Sequence, residues 1–446
     1  MSTAAQILGK FASELKLEDI PAEVLERAKI CIIDTVAAAT FGGRFAWSKM
    51  AVEYAIRYGK GGPCSIIGYP AVRVQAPYAA LSNGVLSQAY EQDSVSDPSH
   101  GVHPGATLLP ALLAASEETG GDGKTALAAF VAGCEIMFRI GAASHHSPEK
   151  IGFHSPAIAG TYGAAAAAGR VYGLNAEQMT HALGIAGSLS SGILAFGKSQ
   201  QGAMVKRLHV GRAAESGILA ARLASSGYTG PETVLDGKFG FLDTYCNGQV
   251  SDAKLLTAEL HEYWKTLRIC FKRYSCEKYS HPPVQATRTL MAEHNFVGHD
   301  VDTVRVEGNE RLTTHHNITE PADIMKAQYS VPFCVALALF RNPEDPQSFD
   351  EQAVADPAIR AMCRKIKLGT LPQAGAGMSA RVTVDLKDGR RVTADCSLYR
   401  GMPDNTFSRD DVRRKFMLFT SGMGAEAAAR LCARLENIEQ EPIFSL

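Results

Sequence analysis

The sequence lacks the features that mark secreted, zinc-finger or membrane proteins. Its ten cysteines include no Cys-x-x-Cys pair, and most lie inside apolar runs, which predicts buried thiols in a reducing compartment. Residues 1–15 contain no basic segment followed by an apolar one, so no secretory signal is expected. The most apolar stretches are rich in alanine and fall short of the ~20 residues that cross a bilayer. We therefore expect a soluble, cytoplasmic protein with no membrane partner.

An excess of charge of either sign is also absent. The 446 residues include 45 basic and 46 acidic side chains, and no cluster of Lys and Arg forms a stripe that would follow a phosphate backbone. Nucleic acid is therefore not an expected partner. The length exceeds that at which a single hydrophobic core keeps growing, so two domains are expected.

Over its first 267 residues the sequence shows helical periodicity and many small residues. Pro21 opens a segment whose apolar residues recur at helical spacing as far as Gly42 and Gly43. Runs such as 164–169 and 184–192 are rich in Ala and Gly, which predicts closely packed helices. Further helices are predicted at 47–58, 77–90, 106–118, 124–141, 157–172, 176–189 and 210–225.

The pattern changes after about residue 268. Residues 301–306 alternate as in a half-buried strand, and 380–386 with 391–397 flank Asp388 and Gly389 as in a β-hairpin. Helices are predicted at 323–340 and 409–435. The expected fold is mainly α: an all-helical domain over 1–267, an inserted α+β lid domain over 268–404, and a helical segment over 405–446 that completes the first domain.

The segment 90–105 contains acid and base groups in a stretch rich in Ser, Gly and Pro. Asp93, Asp97, His100 and His103 fall together there, and loops on rigid scaffolds are where catalytic groups concentrate. One alternative is a solvated polar connection between two helices. Another is a metal site of a hydrolase, built from Asp97, His100 and His103, although no helix-borne His-x-x-x-His pattern supports it.

Other ionisable residues stand beside apolar ones at predicted element boundaries, namely His154, Lys206, Lys272 and His281. A lysine buried with limited pairing binds its proton less tightly and acts as a neutral base. The alternative for each lysine is a solvated pair with the arginine that follows it. For each histidine, the alternative is a helix-entry residue.

Taken together and in this order, the segments resemble the MmgE/PrpD family over nearly the whole chain. The matching segments are residues 20–34, Asp93 with His103 and Pro104, His154 after Gly152 and Phe153, Lys206 ahead of His209 and Gly211, Lys272 with Tyr279, His281 and Pro282, and residues 327–333. The resemblance implies a helical domain with an inserted α+β lid, a homodimer, and a small polycarboxylate substrate. It also implies proton transfer at a carbon next to a carboxylate, with no cofactor and no metal.

The resemblance further implies the site residues. Asp93, His103, His154, Lys206 and Lys272 are the expected catalytic residues, and Tyr279, His281 and His100 are expected to bind substrate. In this scheme the lysines face the negative charge that develops on the substrate, the two histidines act as acid and base, and Asp93 orients one imidazole.

Two differences from the family pattern bear on the reaction. Residues 93–97 keep the first carboxylate of the family's loop but lose the inner two, and Phe333 stands where a Tyr is common. A dehydratase needs an extra acid for a departing hydroxyl, whereas an epimerase needs only to remove and return a proton. Together with the length and the overall resemblance, the altered loop favours the family's epimerase branch. The resemblance then implies a cofactor-independent epimerase, an isomerase acting on a polycarboxylate, with iminodisuccinate as the implied substrate. The alternative is a lyase, either a 2-methylcitrate or citrate-type dehydratase or a cis-aconitate-type decarboxylase.

Overall fold

Helices dominate the structure, a computed structural model that describes residues 2–98, 102–200, 202–371 and 377–446. In the first part the helices are α1 Ala4–Glu14, α2 Ala22–Gly42, α3 Ala46–Tyr58, α4 Ala76–Ser87, α5 Pro104–Thr119, α6 Gly123–Ser144, α7 Ser147–Lys150, α8 Ser155–Val171, α9 Ala176–Leu189, α10 Val205–Ser225 and α11 Phe241–Cys246. The later ones are α12 His281–His294, α13 Arg311–Thr314, α14 Ile324–Ala327, α15 Val331–Phe340, α16 Glu351–Ala355, α17 Pro357–Lys365, α18 Arg409–Phe419 and α19 Ala425–Glu436.

The strands are short and fall into three sheets. They are β1 Cys64–Ile66, β2 Tyr69–Val74, β3 Val95–Ser96, β4 Ile269–Cys270, β5 Val301–Gly308, β6 Ile366–Thr370, β7 Ala380–Leu386 and β8 Arg391–Cys396. The largest sheet has the order β6-β5-β7-β8, and β5 pairs parallel with β6 and antiparallel with β7. The mainly α class, the strand near 301–306 and the hairpin are thus confirmed.

Small residues let the central helices approach closely. Helix α10 packs against both α4 and α8, and Gly84 of α4 faces Gly211 of α10. A Cβ atom at Gly84 would lie 2.4 Å from the Cα of Gly211, and one at Gly211 would lie 2.3 Å from the carbonyl oxygen of Leu81. The contact therefore excludes any side chain, and it fixes the helix that begins with Val205 and Lys206.

The predicted helix over 323–340 is wrong in one respect, because the chain leaves the helix between α14 and α15. Ser330 caps α15, its hydroxyl accepting a hydrogen bond from the Phe333 amide at 2.9 Å, and Pro332 occupies the first turn. Residues 328 and 329 form a turn after α14, and Ser330 is extended before α15 begins. The tail is likewise two helices, since Gly424 adopts a positive φ of 84° between α18 and α19. Both tail helices pack against α2.

Helix α6 is longer than expected from the apolar runs. Its 22 residues have the length and composition of a membrane span, but its most apolar window is entirely buried by the protein. A buried helix with apolar residues on every side belongs to the core of a large fold. The ten cysteines are also buried and unpaired, as predicted.

The contact between Gly84 and Gly211 generates a prediction about stability. Alanine normally stabilises a helix by up to about 1 kcal/mol over glycine, but Gly211→Ala should instead lower the free energy of unfolding by about 1–3 kcal/mol, because the methyl group overpacks the contact. Chemical denaturation of this variant and of Gly422→Ala, whose added Cβ meets no atom within 4 Å, measures the difference. Equal stability of the two variants would contradict the prediction.

Candidate active site

The segment that follows α4 is buried against the start of the lid part of the chain. Residues 91–96 are buried, and β3 pairs antiparallel with β4, with Val95 opposite Cys270 and Ser96 opposite Ile269. The amide of Asp97 continues the ladder by donating to the Arg268 carbonyl at 3.0 Å. The alternative of a solvated connection is therefore wrong for these residues, and the ladder brings Asp93 close to Lys272.

Glu91 lies at the centre of the buried charges. Its carboxylate accepts hydrogen bonds from Lys206, from Lys272 at 2.9 Å and from the Tyr329 hydroxyl at 2.9 Å. Lys206 also contacts the Tyr329 hydroxyl. Glu91 adopts a φ of +54°, a left-handed conformation that is uncommon outside glycine and that concentrates at functional sites. One carboxylate thus joins α10, the segment after β4 and the break between α14 and α15.

These contacts set the charge states. Burial alone would raise the pKa of Glu91, but the cations of Lys206, Lys272 and Arg207 hold that pKa well below its ordinary value. Burial would lower the pKa of Lys272, yet the carboxylates of Glu91 and Asp93 raise it overall. Lys272 is therefore an ammonium ion, and the alternative of a neutral amine base does not hold for it.

Asp93 and His103 form an acid–imidazole pair. The Asp93 carboxylate lies 2.5 Å from Nδ1 of His103 and 3.8 Å from Nζ of Lys272. Burial would raise the pKa of Asp93, but the interactions with His103 and Lys272 lower it, so the carboxylate stays ionised. It accepts the Nδ1 hydrogen and leaves Nε2 as the free nitrogen of His103, the arrangement in which a carboxylate makes an imidazole a better base.

His154 forms a second imidazole pair, with His209. Their Nδ1 atoms are 2.9 Å apart, so one ring donates to the other. Burial, Lys206, His209 and His103 together hold the pKa of His154 well below its ordinary value, which keeps the ring neutral. His103 and His154 are the residues immediately before helices α5 and α8, and the positive end of α8 also favours the neutral ring of His154.

Lys415 of α18 holds the backbone of the site together. Its ammonium group donates to the carbonyl oxygens of Gln92 at 3.0 Å and Lys272 at 2.9 Å, and it lies 2.6 Å from the Asp34 carboxylate of α2. The two segments that present Glu91 and Lys272 are therefore bound to one buried cation from the other end of the chain.

The five residues expected to be catalytic come together, whereas the expected substrate-binding residues do not join them directly. Tyr279 stacks on His316, with ring centroids 5.6 Å apart, and His281 is fully buried between Tyr274 and Tyr399. His100 lies outside the described residues. Their proposed roles remain predictions.

The expectation that Phe333 deprives the site of a hydroxyl is wrong. Phe333 is buried in the lid against Phe349, with ring centroids 6.4 Å apart. Tyr329, which lies just before α15 in the sequence, supplies a hydroxyl to the charged cluster instead.

Sequence reasoning missed four residues of the site, Glu91, Tyr329, His209 and Lys415. Glu91 and His209 lay within segments already singled out, next to predicted site residues, and a buried lysine pair needs a carboxylate between its members. Tyr329 and Lys415 are 238 and 324 residues from Glu91 in the chain. Tyr329 lies in the matching segment 327–333, but no feature of that segment marked the tyrosine itself, and the sequence around Lys415 carries no signal.

The cluster is closed off from solvent. The exposed fractions of Glu91, Asp93 and Lys272 are at most 2%, and that of His103 is 9%. A surface cavity of about 870 Å³ lies elsewhere, along α1, next to Lys10, Arg170 and His261. A substrate therefore reaches the cluster only when the packing around it opens. Within the described ranges, no group of three or more His, Cys, Asp or Glu residues is arranged to hold a metal ion.

The central position of Glu91 predicts a large cost for its neutralisation. Glu91→Gln should lower the free energy of unfolding by about 3 kcal/mol, because it leaves two buried ammonium groups without their shared counter-ion. Denaturant titration beside Glu426→Gln, which disrupts only an exposed pair with Arg430, checks this. Two equally stable variants would refute the role of Glu91.

The burial of His281 predicts a pH dependence of stability. Burial and the nearby Lys272 hold its pKa well below the ordinary value, so below about pH 6.5 only the unfolded chain takes up a proton there. The free energy of unfolding should fall as the pH drops from 6.5 to 5, by about 1.4 kcal/mol per pH unit for this residue. His281→Phe should flatten the slope by that amount, while the exposed His294→Gln should not. An unchanged slope in the first variant would show that His281 does not titrate on unfolding.

Comparison with known proteins gives a consistent assignment across the chain. A model of the MmgE/PrpD N-terminal domain matches residues 6–253, and a model of the MmgE/PrpD C-terminal domain matches residues 274–439. Cis-aconitate decarboxylase of Aspergillus terreus is 31% identical over 408 residues, covering 86% of this chain and 82% of the relative. Human cis-aconitate decarboxylase is 27% identical over 445 residues, covering 95% and 90%.

A further relative, a cis-aconitate decarboxylase-like protein of Aspergillus oryzae, is 29% identical over 442 residues, covering 93% and 90%. These names favour the lyase that the sequence left open as an alternative over the epimerase. Both domain models match in their expected order, and together they span most of the sequence. The chain therefore belongs to the MmgE/PrpD family.

Proposed function

We propose that the protein is a lyase that removes carbon dioxide from a small unsaturated tricarboxylate of the cis-aconitate type. The observation that carries the proposal is the Asp93–His103 pair next to the ammonium group of Lys272, with a second, neutral imidazole at His154. The names of the relatives support the choice of substrate class.

The reaction requires a single proton and the stabilisation of negative charge. The bond between a carboxylate and its carbon breaks, and carbon dioxide leaves without the electron pair. That pair moves through the neighbouring double bond to the carbon next to a second carboxylate, where a proton is added. A tricarboxylate and one proton thus give a dicarboxylate and carbon dioxide.

Each group has a part in this scheme. His103 delivers the proton, and Asp93 stabilises the charged form of the ring that holds it. In this proposal Lys272 and the Tyr329 hydroxyl, which both donate to Glu91, also stabilise the enolate-like charge on the carboxylate next to the reacting carbon. Burial strengthens these interactions, because water no longer screens them.

The hydroxyl of Tyr329 also weakens the earlier case for an epimerase. That case rested partly on acid groups lost from the loop at 93–97, and Tyr329 provides a further proton-bearing group, bonded to the same carboxylate that Lys206 and Lys272 share. Epimerisation and decarboxylation need the same proton transfer next to a carboxylate, so the site residues suit both. The relatives decide our preference. Independence of cofactors, a homodimeric assembly and a cytoplasmic location stay predictions from the sequence.

The assignment predicts a measurable product. With cis-aconitate in deuterated water, the purified protein should release carbon dioxide and form a dicarboxylate with one deuterium at the carbon next to a carboxylate, as followed by NMR. Asp93→Asn should lower kcat by about 100- to 10,000-fold, because the His103 imidazole loses its orienting charge. The control is Asp302→Asn, which alters an exposed ion pair with Lys365 and should retain full activity.

Other outcomes distinguish the alternatives. Deuterium uptake into one stereoisomer of iminodisuccinate, with scrambling and no loss of carbon, would replace the proposal by an epimerase. Water loss from 2-methylcitrate or citrate would replace it by a dehydratase. Metal analysis of the purified protein, with activity measured after chelation, tests the metal alternative independently.

A further inference from the structure

Arg207 is a buried cation without a matching anion. Its exposed fraction is 2%, and among the described residues its Nε and Nη2 atoms have no hydrogen-bond partner. Its Nη1 atom reaches only the Ala203 carbonyl, at 3.5 Å, and the guanidinium lies 5.5 Å from the centroid of the Trp47 ring. A stack on an aromatic ring compensates only part of the cost of burying a guanidinium.

Arg207 is also close to the catalytic cluster. It follows Lys206 in α10, and its charge contributes to the lowered pKa of Glu91 and opposes the raised pKa of Tyr329. Trp47 stacks on Phe45, which stacks on Tyr90, the residue before Glu91. The guanidinium therefore lies near the turn that presents the central carboxylate.

The net charge of the neighbouring residues explains how a further cation at Arg207 would help the site bind a tricarboxylate. The carboxylates of Glu91 and Asp93 offset the ammonium groups of Lys206 and Lys272, so these four residues together carry no net charge. A substrate with three carboxylates would meet no excess positive charge from them. Arg207 supplies one, with donors in the planar arrangement that binds a carboxylate through two hydrogen bonds.

We infer that Arg207 binds the central carboxylate of the substrate, which does not react, and so selects tricarboxylates over dicarboxylates. The inference rests on the proposed function for its substrate class. The free guanidinium nitrogens then gain the partners that they lack, and the charge of the occupied site is better balanced.

Binding measurements test this without turnover. Isothermal titration calorimetry of the whole protein would use propane-1,2,3-tricarboxylate and glutarate, which differ by the central carboxylate. Arg207→Met should weaken binding of the tricarboxylate by about 10- to 100-fold and that of glutarate by less than about threefold. Arg207→Lys should fall between, because it keeps the charge but not the paired donors. The control is Arg212→Met, which removes an exposed arginine of the same helix that pairs with Glu215.

Each result separates this inference from the proposed function. If the unmodified protein binds the tricarboxylate and Arg207→Met binds both compounds as before, or both more weakly by the same factor, Arg207 is only a structural cation on Trp47. If the affinity ratio falls as expected but cis-aconitate loses no carbon dioxide, Arg207 keeps its role and the decarboxylase fails. If the unmodified protein does not bind the tricarboxylate, the inference about Arg207 fails, and release of carbon dioxide from cis-aconitate decides the proposed function separately. Should Arg207→Met not fold, an unchanged ratio in Arg207→Lys also overturns the inference.

Discussion

The carboxylate of Glu91, buried between two lysines, is the interaction on which the rest of the site depends. Lys206 comes from α10, Lys272 from the segment after β4, and Tyr329 from the break between α14 and α15, and all of them bind this one group. Two ammonium ions are costly to bury, and a shared anion makes their burial possible. Glu91 has a strained, left-handed backbone conformation, and the contacts of its carboxylate hold the residue in that conformation.

The fold brings these groups together by ordinary packing. The contact between Gly84 and Gly211 fixes α10 against α4, the pairing of β3 with β4 fixes Asp93 relative to Lys272, and Lys415 binds the carbonyls next to both. Two histidines at the beginning of helices, His103 and His154, add imidazoles to the site. Acid, base and cation are thus held by elements from both ends of the chain, which makes the site rigid and closed.

Closure has a chemical consequence. In a site from which water is excluded, a lysine already paired with a carboxylate stays charged. The more strongly Glu91 binds that lysine, the less strongly the lysine attracts a carboxylate of the substrate. Asp93 divides its interactions between His103 and Lys272, so the basicity of the imidazole and the charge of the lysine are linked. The unpaired guanidinium of Arg207 is the complement to this nearly neutral group.

The sequence by itself determined the mainly α class and the lid hairpin, because periodicity and turn residues are local properties. The resemblance to the MmgE/PrpD family implied the set of Asp93, His103, His154, Lys206 and Lys272. It could not assign the partners of those residues. Nothing in the sequence distinguishes Glu91 from other loop carboxylates, and Tyr329 and Lys415 stand hundreds of residues away from it. Tyr329 lies in a segment that matches the family, but nothing there shows that it meets Glu91. Only the tertiary structure decided which charges meet, because desolvation and pairing, which set the protonation of each group, exist only once the chain has folded.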